Sequence, residues 1–459
     1  MTADTVAHPR PGGSVEGRLH PLSPFVNSWK WFAAVLAFQA QQAMRSVDLR
    51  VAAAVLVVTL VVAGGYGVLA WRFTRYGFDG EDFRVDSGVV FRRSRRVRLD
   101  RLQAVDVVRP LLARALGLAE LRLEMAGGGT PEAPLAYLSE QQAHVLRTEL
   151  LARAAGLQHE EAQAPEAPEA VVHRVPPLRL LLSGLLTTPV VVTVLAVPLV
   201  LLAAVVTGAF EVIFLVGPAV LSVGAAVVQG FVRNFEFTVA TSPDGLRLRR
   251  GLTETRAQTV PPGRVQAVRM VEPWLWRLAG GWVRLEVNVA GYAHGDGEAR
   301  MSSALLLPVA PRRAAMAVLS HVLPGVDVEG IPLRRPPRRT RWLDPVGWRA
   351  LGVGADARVL VTRRGVVRRE TDVIPHARAQ SVRWTQGPLQ RALRLATVHV
   401  DSTPGPVHVA ALHRGADGAA HLLVDLVERA RVARALDPPE RWMTAGGASL
   451  PGPDDRAVS

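Results

Sequence analysis

The sequence predicts an α+β membrane protein. It would consist of three small antiparallel β-barrel or bent-sheet modules, each capped by a C-terminal helix, together with three to four transmembrane helices. Two observations lead to this prediction: long apolar runs that lack charged residues, and a charged segment that recurs three times. At 459 residues the chain is long enough to form several domains of ordinary size.

The apolar runs mark the membrane part. Residues 51–71 carry no charge and are long enough for one helical crossing. Residues 180–232 are too long for one crossing and predict a helical hairpin, with spans over 178–206 and 210–232 and Glu211 near its turn. Residues 25–44 contain Lys30 and three glutamines, so they form either a weak further span or a helix at the membrane interface.

Arginines flank these runs on one side of the predicted membrane. This side is cytoplasmic by the positive-inside rule, because loops on the cytoplasmic side carry an excess of Lys and Arg. The modules are therefore expected inside the cell. The flanking residues are Arg72, Arg75, Arg174, Arg179 and Arg233.

The recurring segment occupies residues 87–124, 250–287 and 364–401. In each copy a glycine lies 15 residues before a glutamine, and an arginine lies two residues before it. A leucine follows nine residues after the glutamine and a second arginine eleven after it. Five positions that recur three times without gaps indicate homologous modules. The glycines are Gly88, Gly251 and Gly365.

Each copy has the same secondary-structure pattern. Short β-like runs flank the glycine, another strand carries the glutamine, and a short helical turn leads to a further strand. Helices are predicted at the ends of the copies, over 139–155, 311–323 and 418–435. Several strands followed by one amphipathic helix are typical of a small barrel or bent sheet that a helix closes.

The predicted organisation follows from these patterns. It comprises a disordered tail at 1–17, an N-terminal membrane region at 18–71, module one at 72–156, an acidic Ala/Pro linker at 157–177, a transmembrane hairpin at 178–232, module two at 233–326, a basic linker at 327–341, module three at 342–436 and a disordered tail at 437–459.

The third copy, RAQSVRWTQGPLQRALRLATVHV, is the most regular form of the frame. It resembles the bacterial pleckstrin-homology-like (PH-like) domains of YdbS/YdbT-type membrane proteins, and three such domains with paired membrane helices look like the longer, YdbT-like member. The resemblance covers about residues 18–435, although the second copy departs from it at Glu272, Pro273 and Trp274. It implies helix-capped barrels on the cytoplasmic face of a bacterial plasma membrane, and a smaller membrane protein of the same family as partner.

Two sets of polar residues are candidate binding residues. An Arg-x-Gln pair offers two donors for a phosphate or carboxylate; alternatively, the glutamine satisfies backbone groups at a strand end while the arginine pairs with a neighbouring acid. The second arginine of each frame either binds anionic lipid or complements a helix C-terminus. The pairs are Arg101 and Gln103, Arg264 and Gln266, and Arg378 and Gln380; the second arginines are Arg114, Arg277 and Arg391.

Composition and motifs argue against several functions. The chain has no cysteine, and it contains none of the common hydrolase, metalloprotease or nucleotide-binding motifs. Its net charge of +14 would suit anionic lipid, but no nucleic-acid recognition motif accompanies it. His399, His408 and His413 lack an accompanying carboxylate pattern, so neither a metal nor another cofactor is expected.

These observations predict a non-enzymatic, multi-pass membrane protein. Its cytoplasmic PH-like modules would bind a membrane-protein partner or anionic lipid headgroups, as a scaffold or adaptor at the cell envelope. The alternative is a membrane component or gating subunit of a transport or export system. Against that alternative, Glu211 is the only charge within the apolar run 180–232, and it is predicted near the turn rather than in a path across the membrane.

Overall fold

The computed structural model describes most of the three modules. The described ranges are 71–79, 82–87, 93–99, 102–125, 134–154, 170–209, 211–242, 245–260, 263–290 and 305–436, with a few positions between 17 and 69. The interfacial or spanning stretch 25–44, Arg101 and the tail 437–459 lie outside the described residues, as does nearly all of the tail 1–17. The chain divides into two compact units, of which the first holds module one with Glu254–Arg256 and the second holds the rest of module two and module three.

Module one consists of a four-stranded antiparallel sheet, in the order β1-β2-β3-β4, and three further antiparallel strands in the order β7-β6-β5. Its elements are β1 (Gly17–Arg18), β2 (Arg75–Asp79), β3 (Asp82–Ser87), β4 (Arg93–Arg98), β5 (Leu102–Pro110), α1 (Leu111–Ala115), β6 (Leu118–Met125), β7 (Pro134–Ser139) and α2 (Glu140–Ala154).

One core holds module one together. Phe83 of β3, Leu121 of β6 and Leu150 of α2 are fully buried in the same apolar cluster, and Phe78 meets Phe83 edge to face. Burial of an aromatic or leucine side chain contributes about 1.5–3 kcal/mol. The C-terminal helix therefore covers both sheets, as the sequence predicts.

Module two repeats this plan and contains the membrane hairpin. Its elements are β8 (Ala170–Arg174), α3 (Pro177–Leu185), α4 (Thr188–Thr207), α5 (Val212–Arg233), β9 (Thr238–Ser242), β10 (Gly245–Arg250), β11 (Glu254–Val260), β12 (Val265–Pro273), α6 (Trp274–Ala279), β13 (Trp282–Val289), β14 (Leu305–Pro311) and α7 (Arg312–Val322).

Module three has the same order without a hairpin. It contains β15 (Gly352–Ala355), β16 (Val359–Arg364), β17 (Arg368–Pro375), β18 (Ser381–Thr385), α8 (Pro388–Ala392), β19 (Leu395–Asp401), β20 (Val409–Gly415) and α9 (Ala416–Leu436), with 3-10 helices at Arg338–Trp342 and His376–Arg378.

The hairpin consists of α4 and α5, which are packed side by side. Among the described residues, Thr188–Thr207 and Val216–Arg233 are the two stretches long and apolar enough to cross a membrane. The predicted span 178–206 is corrected, because Thr187 is extended and separates α3 from α4. Pro189, which lacks an N–H, favours the restart of a helix at this point.

Three to four spans were predicted, and two are found within the described residues. In the predicted span 51–71 only scattered positions are described, and these are helical. Of the two predicted forms, barrel and bent sheet, the structure favours the bent sheet, because the sheets in the described residues are open. A physical reason is visible at β17, whose outer edge pairs with β12 of module two, so that it is occupied by a neighbouring module.

The candidate membrane segments lie inside the modules rather than between them. In module two, His173 of β8 pairs with Val239 of β9, and the whole hairpin connects these two strands. In module one, Gly17 pairs with Tyr76 across the predicted N-terminal membrane region. The predicted linker 157–177 therefore contains the first strand of module two.

Candidate protein-binding edge

Modules two and three share one continuous six-stranded sheet, in the order β14-β13-β12-β17-β16-β15. Strand β12 pairs with β17 in antiparallel register from Val268 opposite Val373 to Pro273 opposite Arg368. Strand β12 is buried over nearly its whole length. A module of this chain thus binds the next module through a sheet edge.

A buried ion pair lies at the centre of this edge. The Nε of Arg269 is 2.6 Å from Oδ1 of Asp372, and its Nη2 is 3.2 Å from Oδ2. The two side chains are only 7% and 1% exposed. Burial by itself lowers the pKa of Arg269, but the hydrogen bond and charge of Asp372 raise it above its ordinary value. Burial raises the pKa of Asp372, and Arg269 opposes that rise.

Two further side chains of module two reach into module three. The buried Asn288 donates from Nδ2 to the carbonyl oxygen of Val407 at 2.8 Å and accepts the Val407 N–H at 3.0 Å. The guanidinium of Arg277 donates to the carbonyl oxygen of Val366 at 2.5 Å, in the turn between β16 and β17. Each contact satisfies a backbone group that would otherwise lack a protein partner.

Module three leaves the corresponding edge open. In the shared frame Gln266 corresponds to Gln380, so β18 corresponds to β12, and β18 pairs only with β19 within the described residues. Arg269 corresponds to Arg383, and Met270, which is buried, corresponds to Trp384, which is exposed. The positions that module three covers on module two are therefore exposed on module three itself.

At the position equivalent to Arg269, Arg383 instead forms an exposed ion pair within module three. The Nε of Arg383 donates to Oδ2 of Asp401 at 2.9 Å, and the side chains are 58% and 40% exposed. Desolvation acts to raise the pKa of Asp401, but hydrogen bonds from Arg383 and Ser381 outweigh it and lower the pKa below its ordinary value. Within module three this edge thus carries a solvated charged pair.

Two of the three predicted glutamines lie at strand irregularities. The register of β5 shifts between Leu102 and Ala104, on either side of Gln103, and that of β12 shifts between Val265 and Ala267, on either side of Gln266. The buried Gln266 donates to the carbonyl oxygen of Arg264 at 3.3 Å. Such contacts support the structural alternative for this glutamine, since a β-bulge leaves backbone groups without ladder partners.

The other candidate residues are not brought together into one site. Gln380 is exposed, and its backbone N–H donates to the carbonyl oxygen of Asp401 at 2.9 Å. Arg264 and Arg378 are half-buried. The second arginines also differ, because Arg277 binds module three while its counterparts are exposed. These counterparts are Arg114 in α1 and Arg391 in α8.

The histidines of module three take part in separate contacts. Nε2 of His399 is 3.0 Å from Oγ1 of Thr385, and Nδ1 of His413 is 2.9 Å from Nε2 of Gln390. Within the described part of the chain, no group of three or more His, Asp or Glu side chains is arranged to hold a metal ion. Burial lowers the pKa of His399 and of His413.

Acid is expected to destabilise module three through His376, which is buried. Burial is the largest effect on this residue and lowers its pKa below the ordinary value, while the hydrogen bond to the Asp356 carbonyl opposes the shift. The unfolded chain then binds the proton more readily, so the stability contribution is complete above about pH 6.5 and decreases as the pH falls towards the lowered pKa.

Thermal melts at pH 7.5 and 5.5 should differ less for His376→Asn than for the wild type. The exposed His421→Asn is the control, and an unchanged pH dependence in His376→Asn would contradict this prediction.

Sequence reasoning missed the residues that form the edge. Arg269 and Arg383 lie three positions after the frame glutamine, and the frame was defined without this position because Asp106 replaces the arginine in the first copy. The signal available was the run VQAVRMV in β12, which is too apolar for a strand with one solvated face. A charged residue inside such a run indicates a buried partner.

Paired antiparallel sheets, a covering helix and an apolar hairpin inserted after the first strand define a membrane-anchored protein built from PH-like modules. The family model described as Bacterial PH domain matches residues 32–154, 186–326 and 340–436, and the chain belongs to this family. This confirms the family that the third copy predicts.

One curated relative is named as a transmembrane protein. The chain is 23% identical over 319 residues to the UPF0699 transmembrane protein YdbT of Bacillus subtilis (strain 168). The matched region covers 63% of this chain and 63% of the length of the relative.

Proposed function

We propose that this protein is a non-enzymatic, multi-pass membrane scaffold of the bacterial plasma membrane. Its cytoplasmic PH-like modules recruit a smaller membrane protein of the same PH-like family, and the outer edge of β18 is the binding site. The observation that carries this proposal is the junction of modules two and three, where the edge equivalent to β18 already binds a PH-like module.

The partner is expected to add one strand to the three-stranded sheet of module three. An added strand gains a full set of backbone hydrogen bonds, which is the basis of strand-addition complexes. Exposed edges left without protection promote aggregation, so a long-lived open edge calls for a specific partner. By analogy with β17, the partner strand is the last strand of the first sheet in its module.

A second copy of this chain is a poor occupant. In a second copy, β11 and β17 already have a neighbouring strand on both edges, which leaves β4 of module one, with the sequence RSRRVR. Arg95 pairs with Val85 in module one in the same way that Asp372 pairs with Thr362 in module three, so Arg95 occupies the position of Asp372. If β4 paired with β18, Arg95 would therefore lie opposite Arg383. Like charges directly opposite on neighbouring strands are destabilising. The partner strand is therefore expected to come from a different chain, with an acidic or neutral residue at this position.

The transport alternative has weaker support. Glu211 is exposed in the turn between α4 and α5, where it does not form part of a charged path within the hairpin. Ionisable residues that serve transport face the interior of a helix bundle or a water-filled cavity. The position of Glu211 therefore favours the scaffold.

Photo-crosslinking in native membranes tests the scaffold proposal. A photoreactive residue is placed at Gln380 or at Arg391, and a control probe at the exposed Val424 of α9. The β12–β17 pair is antiparallel, so the probe at Gln380 should capture residues C-terminal to those captured at Arg391 on the same partner strand. Arg383→Glu should abolish both adducts.

Three outcomes would contradict the proposal. These are adducts to lipid alone, adducts to β4 of a second copy, and adducts no stronger than those of the Val424 probe. A captured protein supports the proposal only if the crosslinked peptides lie in a PH-like module in the stated order.

A further inference from the structure

The connection between the first two strands of each module starts and ends at equivalent residues. In module two these strands meet at His173 and Val239; in module three the first strand is reduced to Arg334, which forms an isolated β-bridge with Val353 of β15. Val239 and Val353 occupy the same position relative to the frame glycines Gly251 and Gly365. In module two this connection is the membrane hairpin, whereas in module three it is the short segment 335–351.

This short segment has a well-defined conformation. The fully buried Thr340 donates from Oγ1 to the carbonyl oxygen of His413 at 3.1 Å. Arg339 donates to the carbonyl oxygen of Arg394 at 3.0 Å. Further along, the N–H of Gly347 binds Oδ1 of Asp344 at 2.7 Å and closes a tight turn. These contacts fix the segment against module three, so the side chains that it exposes are held in place.

Two of the exposed side chains of this segment are large and apolar or aromatic. Trp342 is 71% exposed and Val346 is 74% exposed, although the buried Thr340 lies only two residues from Trp342. The guanidinium of Arg341 lies over the Trp342 ring at 5.3 Å, and Arg349 lies over Trp348 at 5.3 Å. Tryptophan with neighbouring arginine suits the boundary between lipid headgroups and hydrocarbon, where one end of the ring is apolar and the other wet.

The charge of the segment is strongly positive. Residues 334–349 contain six arginines and one aspartate. Basic residues near the cytoplasmic surface gain free energy from anionic lipids. The exposed arginines are Arg334, Arg335, Arg338, Arg339, Arg341 and Arg349.

From these observations we infer that residues 338–349 are an interfacial membrane anchor, which holds module three on an anionic lipid surface. In module two this connection contains α4 and α5, which enter the membrane. In module three the equivalent connection reaches only the membrane interface. Trp342 and Val346 enter the headgroup region, and the arginines bind anionic headgroups. This inference does not depend on the proposed partner, because it concerns lipid contacts of residues 338–349 and not strand addition at β18.

The absence of cysteine makes this anchor directly testable. A single cysteine at Val346 is labelled with an environment-sensitive fluorophore, and the full chain is placed in lipid nanodiscs, where both membrane faces are accessible. Val424→Cys is the matched control, since it also replaces an exposed valine of module three (66% exposed). Trp342→Cys provides a second probe position in the segment.

In nanodiscs that contain phosphatidylglycerol, the probe at residue 346 should be several-fold less quenched by iodide than the probe at residue 424. Brominated lipids should quench it more strongly. Both differences should decrease in pure phosphatidylcholine, and they should decrease in phosphatidylglycerol when Arg338 and Arg341 are replaced by glutamine. Thermal melts of all labelled variants check that the fold is unchanged.

Equal iodide quenching at residues 346 and 424 in both lipids would overturn the anchor. Protection at residue 346 that is the same in both lipids, or that persists in the Arg338→Gln/Arg341→Gln variant, would overturn the role of anionic headgroups. Since the nanodiscs contain this protein and lipid alone, failure here leaves the crosslinking result at β18 unaffected, and the reverse also holds.

Discussion

Asp372→Ala is expected to weaken the junction between modules two and three by about 3–5 kcal/mol, because it removes the carboxylate that is hydrogen-bonded to the buried Arg269 and leaves Glu370, 3.8 Å from Nε, as the nearby acid. Arg269 retains backbone acceptors at Pro406, at 2.7 Å, and at His408, at 3.4 Å, which keep the loss at the lower end of that range. Hydrogen exchange followed by mass spectrometry measures the effect. Amides of β12 and β17 should exchange roughly a hundred- to thousand-fold faster, since each 1.4 kcal/mol is a factor of ten.

The exposed pair between Arg383 of β18 and Asp401 of β19 is the control. Asp401→Ala removes the same contact from Arg383 but should cost less than about 1 kcal/mol, because surface ion pairs contribute little. Joint replacement of Arg269 by methionine and Asp372 by leucine should recover most of the stability, since buried ion pairs can often be replaced by well-packed apolar residues without loss of stability. Equal effects of Asp372→Ala and Asp401→Ala would contradict the assignment of the buried pair as the principal polar contact of the junction.

Trp276→Ala is expected to separate the body of module two from the base of its membrane hairpin. Trp276 is almost fully buried, and its Nε1 donates to the carbonyl oxygen of Ser183 in α3 at 3.1 Å. Loss of a buried tryptophan side chain costs about 3–5 kcal/mol. The purified protein in detergent should melt at a lower temperature, and amides of α3 and α6 should lose protection from exchange.

A graded series separates packing from hydrogen bonding at this position. Trp276→Phe keeps most of the apolar contact and removes the N–H, so it should cost about 1 kcal/mol for the lost hydrogen bond, with a further loss if the Ser183 carbonyl stays unpaired. Leu278→Ala changes an exposed side chain on the same helix and should stay within about 0.5 kcal/mol of the wild type. A loss in Leu278→Ala as large as that in Trp276→Ala would contradict this account.

The pattern of apolar and turn residues was sufficient to predict the main helices and strands of each module. The helices predicted over 139–155, 311–323 and 418–435 correspond to α2, α7 and α9, with ends that agree to within two residues. The frame glycine marks the predicted hairpin: Gly365 has φ 81° between β16 and β17, and a Cβ there would lie 2.0 Å from the carbonyl oxygen of Arg368. These features are local, so a local sequence pattern can specify them.

Domain boundaries were harder to predict because a module here is discontinuous. Ala170–Arg174 reads as the end of an acidic, proline-rich linker, but it becomes a strand by pairing with Thr238–Ser242, across the whole hairpin. Short first strands such as Gly17–Arg18 have no pattern of their own. Their conformation depends on a partner distant in sequence, which composition and periodicity do not reveal.

The candidate site shows the same division. The sequence by itself determined the repeat, the helix that closes each module, the apolar runs and the family, because each depends on residue types at fixed short spacings. Only the tertiary structure decided which edges pair: it buried Arg269 and left Arg383 exposed, although both occupy the same place in the frame. Exposure of a strand edge depends on what the rest of the chain brings to it, and this long-range packing distinguishes two positions that the sequence makes alike.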